Sequence, residues 1–364
     1  MTMRRSGMEW TVWAAVERVA PELVRAMDHR VRVMQRIDAH APIGRRALAQ
    51  AMGQSERTLR TELDYLKQLG LVATSSSGVS LTPEGKALLG ELEPLVAEIA
   101  GRSDLAWRVS ALLRIPRVIV VEGDADEDAW VTDRIGQAGS DVLAEVLQDG
   151  DIIAVTGGTT VAAVAKAMSA KPLRQRITVV PARGTVGEIV AYQANTIASE
   201  LAAKLGGSSV LLQISDSLSQ KALEQLLDDP YIQERLPIIR QATVVVHGVG
   251  DALAMARRRH ATEEEIKLLE AREAKAEAFG HYFNARGEVV YAMRTIGLRL
   301  DDVARARVVI AVAGGQKKAQ AIASVANAYR IDVLVTDEGA ARRILQLETP
   351  AGKERVEHGS EGWY

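Results

Sequence analysis

Three hydrophobic rhythms follow one another along the 364 residues. From Glu9 to His40 the apolar positions Trp10, Trp13, Val16, Leu23, Val24, Met27, Val31, Met34 and Ile37 fall at helical spacing, and the stripe breaks near Pro21. Two shorter segments follow, Pro42 to Met52 and Ser55 to Leu66, parted by Gly53. Helix, glycine turn, helix is the pattern of a helix-turn-helix, with Ser55 as N-cap of the second helix and Leu59, Leu63 and Leu66 turned inward. Leu71 to Ala73 and Val79 to Leu81 read as strands around a tip at Thr74–Gly78, and Thr82-Pro83-Glu84-Gly85 opens another helix. The segment 1–90 is therefore predicted to be a winged helix-turn-helix domain.

Helical spacing continues through residues 91–115, interrupted at Gly101-Arg102-Ser103, and predicts a helical linker. From Arg117 the rhythm changes to short apolar runs alternating with helical stretches: Val118–Val121, Ile152–Val155, Ile177–Val180, Val210–Ile214, Thr243–Val246, Val308–Val312 and Val333–Val335. Continuous apolar strands separated by crossover lengths predict a mainly parallel α/β sheet with helices on both faces, here over residues 116–345. The run Thr262 to Glu277 reads as a highly charged helix, and residues 346–364 as a disordered polar tail.

Composition narrows the possibilities. Cysteine is absent, which excludes a disulfide framework and a thiol nucleophile and fits a reducing cytoplasm. No apolar run approaches a membrane span, and the six histidines show no metal-ligand spacing. Net charge is −2, but residues 1–90 carry 13 Lys and Arg against 9 Asp and Glu, while the rest carry 32 against 38. A basic front on an acidic body points to nucleic acid as partner of the front. Arg45, Arg46, Arg57 and Arg60 are its candidate contacts, with Ser55, Glu56, Arg57 and Arg60 at the start of the recognition helix, within reach of base edges.

In parallel sheets ligands sit beyond the carboxyl ends of the strands, so the loops there carry the candidate chemistry. After Ile152–Val155 comes Thr156-Gly157-Gly158-Thr159-Thr160, then an Ala-rich helix. Two glycines permit a sharp turn close to a ligand, and the helix start offers free N–H groups to an anion, although any strand-to-helix turn favours Gly and Thr. Later loops repeat the theme with Pro181-Ala182-Arg183-Gly184, His247-Gly248-Val249-Gly250-Asp251, Ala313-Gly314-Gly315-Gln316-Lys317-Lys318 and Thr336-Asp337-Glu338-Gly339. Two Gly-Gly turns with an Arg and a Lys at one sheet edge suit a ligand with two separated phosphates. Arg257-Arg258-Arg259 adds guanidiniums nearby. Neither the Gly-x-Gly-x-x-Gly fingerprint nor the P-loop is present.

Several of these stretches together resemble the SorC-type sugar-responsive bacterial transcription regulators. They are Ala154 to Thr160, Val180 to Gly184, Gln193 to Ile197, Glu277 to Gly280, Val335 to Ala341 and, in the head, Pro42 to Arg46 and Ser55 to Arg57. The resemblance implies an effector domain related to ribose-5-phosphate isomerase and glucosamine-6-phosphate deaminase that binds phosphorylated sugars without converting them. It further implies a homo-oligomeric repressor (dimer or tetramer) of glycolytic and central carbon genes, with fructose 1,6-bisphosphate weakening its hold on double-stranded operator DNA. Carried over by motif, the effector positions fall on Gly157, Gly158, Thr159, Thr160, Arg183, Gln193, Arg258, Arg259, Glu277 and Lys318. No catalytic residue, cofactor or metal is implied. The competing expectation is a sugar-phosphate isomerase or deaminase that carries a winged helix, with Glu277, Asp251, His247 and Asp337 as acid/base candidates.

Overall fold

The computed structural model describes residues 19–99, 101–169, 176–185, 189–214 and 220–347, so Trp10, Trp13 and Val16 and the tail from residue 348 lie outside the described residues. The chain divides into two compact units, residues 1–105 and 106–364.

In the first unit the helices Pro21–His40, Arg45–Ala51 and Glu56–Gln68 enclose one core. Val31, Met34 and Ile37 meet Leu48, Leu59, Leu63 and Leu66, and Val72, Val79 and Leu81 close the cluster. The last three come from an antiparallel hairpin of β1 (Val72–Ser75) and β2 (Gly78–Leu81), so the fold is the expected winged helix. Leu23 departs from the predicted stripe and is 62% exposed, whereas Val24 is buried. Successive helical positions point about 100° apart, and near the start of this helix it is Val24 that falls on the core face. The Ser55 hydroxyl accepts the Thr58 N–H at 3.1 Å, a cap that contributes about 1 kcal/mol to such a helix. Beyond the wing come the helices Pro83–Ile99 and Arg102–Leu113, parted by Gly101, whose φ of 71° is a left-handed conformation that glycine adopts freely.

The second unit is built on β3 (Arg117–Val121), β4 (Ile152–Val155), β5 (Thr178–Pro181), β6 (Ser208–Ser209), β7 (Val244–His247), and, after a smaller sheet, β12 (Val308–Val312) and β13 (Val333–Asp337). The smaller sheet comprises β8 (Gly250–Asp251), β9 (Ala276–Ala278), β10 (His281–Phe283) and β11 (Val289–Ala292). The main sheet runs β3-β13-β12-β7-β4-β5-β6 with every pairing parallel. Its central strand β7 is buried at all four residues, which is why it reads as an unbroken apolar run. The helices Trp130–Val146, Thr159–Ala167 and Ala194–Leu205 share one core with these strands. The first two lie unusually close, since a Cβ at Gly136 would stand 2.6 Å from Ala163 and one at Gly139 would stand 2.8 Å from the Val164 side chain.

Two expectations are corrected here. The strand predicted at Val210–Ile214 is instead the two-residue β6, because the chain peels away as the Asn195 side chain takes both the Leu212 N–H (2.9 Å) and the Leu212 carbonyl (2.8 Å). The charged helix predicted to reach Glu277 ends at Ala271. Glu273 follows with φ 52°, and Glu277 lies on β9, the centre of the small antiparallel sheet.

Candidate functional site

At the carboxyl ends of β4, β5 and β7 lies a cavity of about 270 Å³, small for a ligand site but well formed. Gly157, Gly158, Thr159, Thr160, Arg183, Gln193, Arg258, Glu277 and Lys318 all line it. Arg259 does not. Its Nε donates to the Tyr282 hydroxyl at 2.9 Å and its Nη2 lies 3.3 Å from Glu265, so this guanidinium braces the small sheet. A more open groove of about 730 Å³ occupies the opposite ends of β7 and β12, but its Arg305 and Arg307 are paired with Asp302 and Asp151 and it holds no glycine turn.

The Gly-Gly-Thr-Thr turn owes its shape to two constraints. A Cβ at Gly157 would stand 2.7 Å from the Tyr192 carbonyl oxygen, and Gly158 has φ 123° and ψ 160°, a region essentially reserved for glycine. The helix Thr159–Ala167 that follows carries no side-chain cap, so its first amides and its positive dipole end face an open position. Thr156 fixes the neighbouring loop, its hydroxyl accepting the Gly248 N–H at 3.0 Å.

Opposite this turn the charges are arranged in two ways. Arg183 and Glu277 are both almost fully buried and form an ion pair at 2.6 Å, with Glu277 also accepting the Gly280 N–H at 2.9 Å. Arg258 is exposed on the cavity wall, at the end of the helix Ala252–Arg258. Lys318 closes a 3-10 turn, Gln316–Lys318. Burial pulls its pKa down, Asp126 and Asp337 oppose that shift, and Arg258 adds to it.

The second Gly-Gly turn lies at the same sheet edge, as expected, but its amides are taken by carboxylates of the chain itself. Asp337 accepts the Gly315 N–H at 2.7 Å, Asp124 the Gln316 N–H at 3.3 Å and Asp126 the Lys317 N–H at 2.8 Å. This loop therefore reaches the cavity through the Lys318 side chain, which lines it together with Arg258.

Asp251 and Glu277 line the cavity, but each of the four acid/base candidates is buried or held by partners of the fold. His247 is fully buried against Phe279 and Tyr329, at ring distances of 5.0 and 5.7 Å, and desolvation lowers its pKa to about 4. Asp337 accepts the amides of Ala125, Gly315 and Ala340. Asp251 caps its own helix through Ala254 N–H at 2.9 Å, and Glu277 holds Arg183. Sequence reasoning missed Tyr192, Met255 and Phe279 as lining residues. Phe279 sits at φ 51°, unusual for an aromatic residue, and its place beside Gly280 in a short Phe-Gly turn was the available signal.

In the head, Arg45 and Arg57 are exposed, with no side-chain ion pair among the described residues. Arg46 is tied to Glu56 at 3.0 Å, and Arg60 lies 3.9 Å from Asp64. Ser55 is committed to its cap. Among the described residues no helix is long and apolar enough to cross a membrane, and no group of His, Asp and Glu could hold a metal ion.

A winged helix-turn-helix joined to a parallel α/β unit with an anion-ready turn defines a ligand-responsive DNA-binding protein. Two family models divide the chain along the same lines, the CggR N-terminal DNA-binding domain over residues 26–96 and a sugar-binding domain over residues 97–346. The chain belongs to the SorC family of transcriptional regulators, in the branch of the central glycolytic genes regulators. It is 40% identical over 334 residues to the central glycolytic genes regulator of Bacillus subtilis, covering 92% of this chain and 98% of that one. A SorC-family transcriptional regulator from Enterococcus faecalis matches 66% of this chain and 99% of its own with TM-score 0.63 and 39% identity. The full-length sorbitol operon regulator from Klebsiella pneumoniae covers 83% of this chain and 94% of its own with TM-score 0.63, a likeness of fold at 18% identity.

Proposed function

We propose that this chain is a repressor of glycolytic and central carbon genes, and that a phosphorylated sugar, fructose 1,6-bisphosphate above all, lowers its affinity for double-stranded operator DNA. One observation carries the reading: a single cavity sets an unfilled helix N-terminus behind Gly157 and Gly158 on one side and the cations of Arg258 and Lys318 on another. That is two anion subsites for one small, doubly charged ligand. The glycolytic name of the 40% identical relative supports the choice of sugar.

The protein binds this ligand without turning it over. An acid/base pair needs two groups free to exchange protons, whereas His247 is sealed among aromatic rings and Asp337 is held by three amides. The active form is a cytoplasmic homo-oligomer, a dimer or tetramer, and ligand and operator oppose one another through its conformational equilibrium. Calorimetry with fructose 1,6-bisphosphate, beside an operator-fragment mobility assay with and without it, tests the reading. Binding with release of DNA and no product is the expected result. Turnover of the sugar, or DNA affinity indifferent to it, would refute it.

A further inference from the structure

The closed second Gly-Gly turn leaves one carboxylate in an unusual position. Asp337 is spent on three amides, and Asp124 on two, those of Asp126 and Gln316. Asp126 accepts one backbone hydrogen bond, from Lys317, and is exposed on the loop after β3. Gly315 makes room for it: a Cβ there would stand 2.8 Å from the Asp126 carboxylate, and the φ of 94° at Gly315 favours glycine in any case. Asp126 is thus placed within electrostatic range of Lys318, the cation that lines the cavity.

We propose that Asp126 is an internal competitor for the phosphate subsite at Lys318, a fixed anion that limits how tightly the cavity holds its ligand. The inference rests on the sugar-phosphate reading above and assigns a residue that lies outside the lining of the cavity. The physical argument is a balance of charges at one ammonium group. Lys318 is faced by Asp126 from the β3 loop, by Asp337 from β13 and by Arg258 from the helix Ala252–Arg258. With the cavity empty, Asp126 favours the protonated ammonium ion against the effect of burial, and through the Lys317 N–H it pins the turn that carries it. With a phosphate bound, the same carboxylate stands close to a like charge, and the repulsion subtracts from binding. Asp337 acts on Lys318 in the same sense, but its carboxylate also holds the amides of Ala125, Gly315 and Ala340, so Asp126 is the charge that can be removed without cutting three hydrogen bonds.

Asp126→Asn keeps the size and the acceptor for the Lys317 N–H and removes only the charge. Calorimetry on the full chain at low ionic strength should show fructose 1,6-bisphosphate binding about fivefold more tightly to this variant, with the gap narrowing as salt is raised. The alkaline limb of binding should also move to lower pH, since Lys318 loses a carboxylate that keeps it protonated. Asp126→Ser, which retains an acceptor for Lys317, should shift affinity in the same direction. If the native chain binds the sugar and neither variant tightens it, or if both bind more weakly, Asp126 is merely a structural tie and the proposal is wrong. If the native chain itself shows no binding, the sugar-phosphate reading fails first and this inference falls with it.

Discussion

Arg183 and Glu277 face each other at 2.6 Å across the inner wall of the cavity, their side chains only 9% and 7% exposed. They are 94 residues apart in sequence, one beyond β5 and the other on β9. A buried pair of this kind contributes little net stability over an apolar substitute, but losing one member strands a charge.

Arg183→Ala is accordingly expected to cost about 3–5 kcal/mol of folding stability in addition to any loss of ligand. Glu277→Ala should do the same, while the double variant Arg183→Met, Glu277→Leu should recover most of it. Urea denaturation of the three variants measures this. Single variants as stable as the parent would show that the pair is not held as the structure has it.

Gly158→Ala should destabilise the chain by about 1–3 kcal/mol, because φ 123° with ψ 160° is closed to a residue bearing a Cβ. The strain falls on the anion-facing amides, so bisphosphate affinity should drop at least tenfold as measured by calorimetry. A variant with native affinity would place the phosphate elsewhere.

In the head, Arg57→Ala should cost roughly 1–3 kcal/mol of operator binding if its guanidinium reads a guanine, and should relax preference at that base pair. Arg46→Ala should cost less at equal salt, since Arg46 is already partnered by Glu56 at 3.0 Å. Glu56→Ala should free Arg46 and raise affinity for unrelated duplex DNA. Fluorescence anisotropy across a salt series distinguishes these effects, and equal losses for Arg57 and Arg46 would contradict the assignment.

His247 makes stability depend on pH. Its pKa is lowered from 6.5 to about 4 by burial, so between those values the unfolded chain binds more protons than the folded one. The contribution is fully present above about pH 6.5 and is lost as pH falls toward 4, by about 3 kcal/mol over the window. His247→Phe, which suits the aromatic surroundings of Phe279 and Tyr329, should flatten that slope. Chemical denaturation at pH 7 and pH 5 reads it, and an unaltered slope would assign the pH dependence to other groups.

What could be read from the sequence was what short stretches specify by themselves. Ser55 and the leucines after it mark a capped amphipathic helix, and Gly157-Gly158-Thr159-Thr160 after an apolar run marks a sharp turn into a helix; both take that form. What escaped the reading depends on partners far along the chain. Nothing near Gly314-Gly315 announces that Asp124 and Asp126, almost 200 residues earlier, fill the amides of that turn. Glu277 could not be placed on a strand because β8, β9 and β10 are two or three residues long, too short to show alternation. Arg259 sits beside Arg258 in sequence, but successive helical positions point about 100° apart, and Tyr282 and Glu265 were there to take it.

The seam where Gly136 and Gly139 admit Ala163 and Val164 gives the cavity a mechanical character. Helices in such close contact leave little room to slide, which ties the position of Thr159 and Thr160 to that of the helix Trp130–Val146. That helix is the direct continuation of the loop bearing Asp124 and Asp126, which in turn grips the amides beside Lys318. One unbroken stretch of chain therefore joins the helix packed against the Gly157-Gly158 turn to the carboxylates that hold the amides beside Lys318, so the two ends of the cavity share a single structural support.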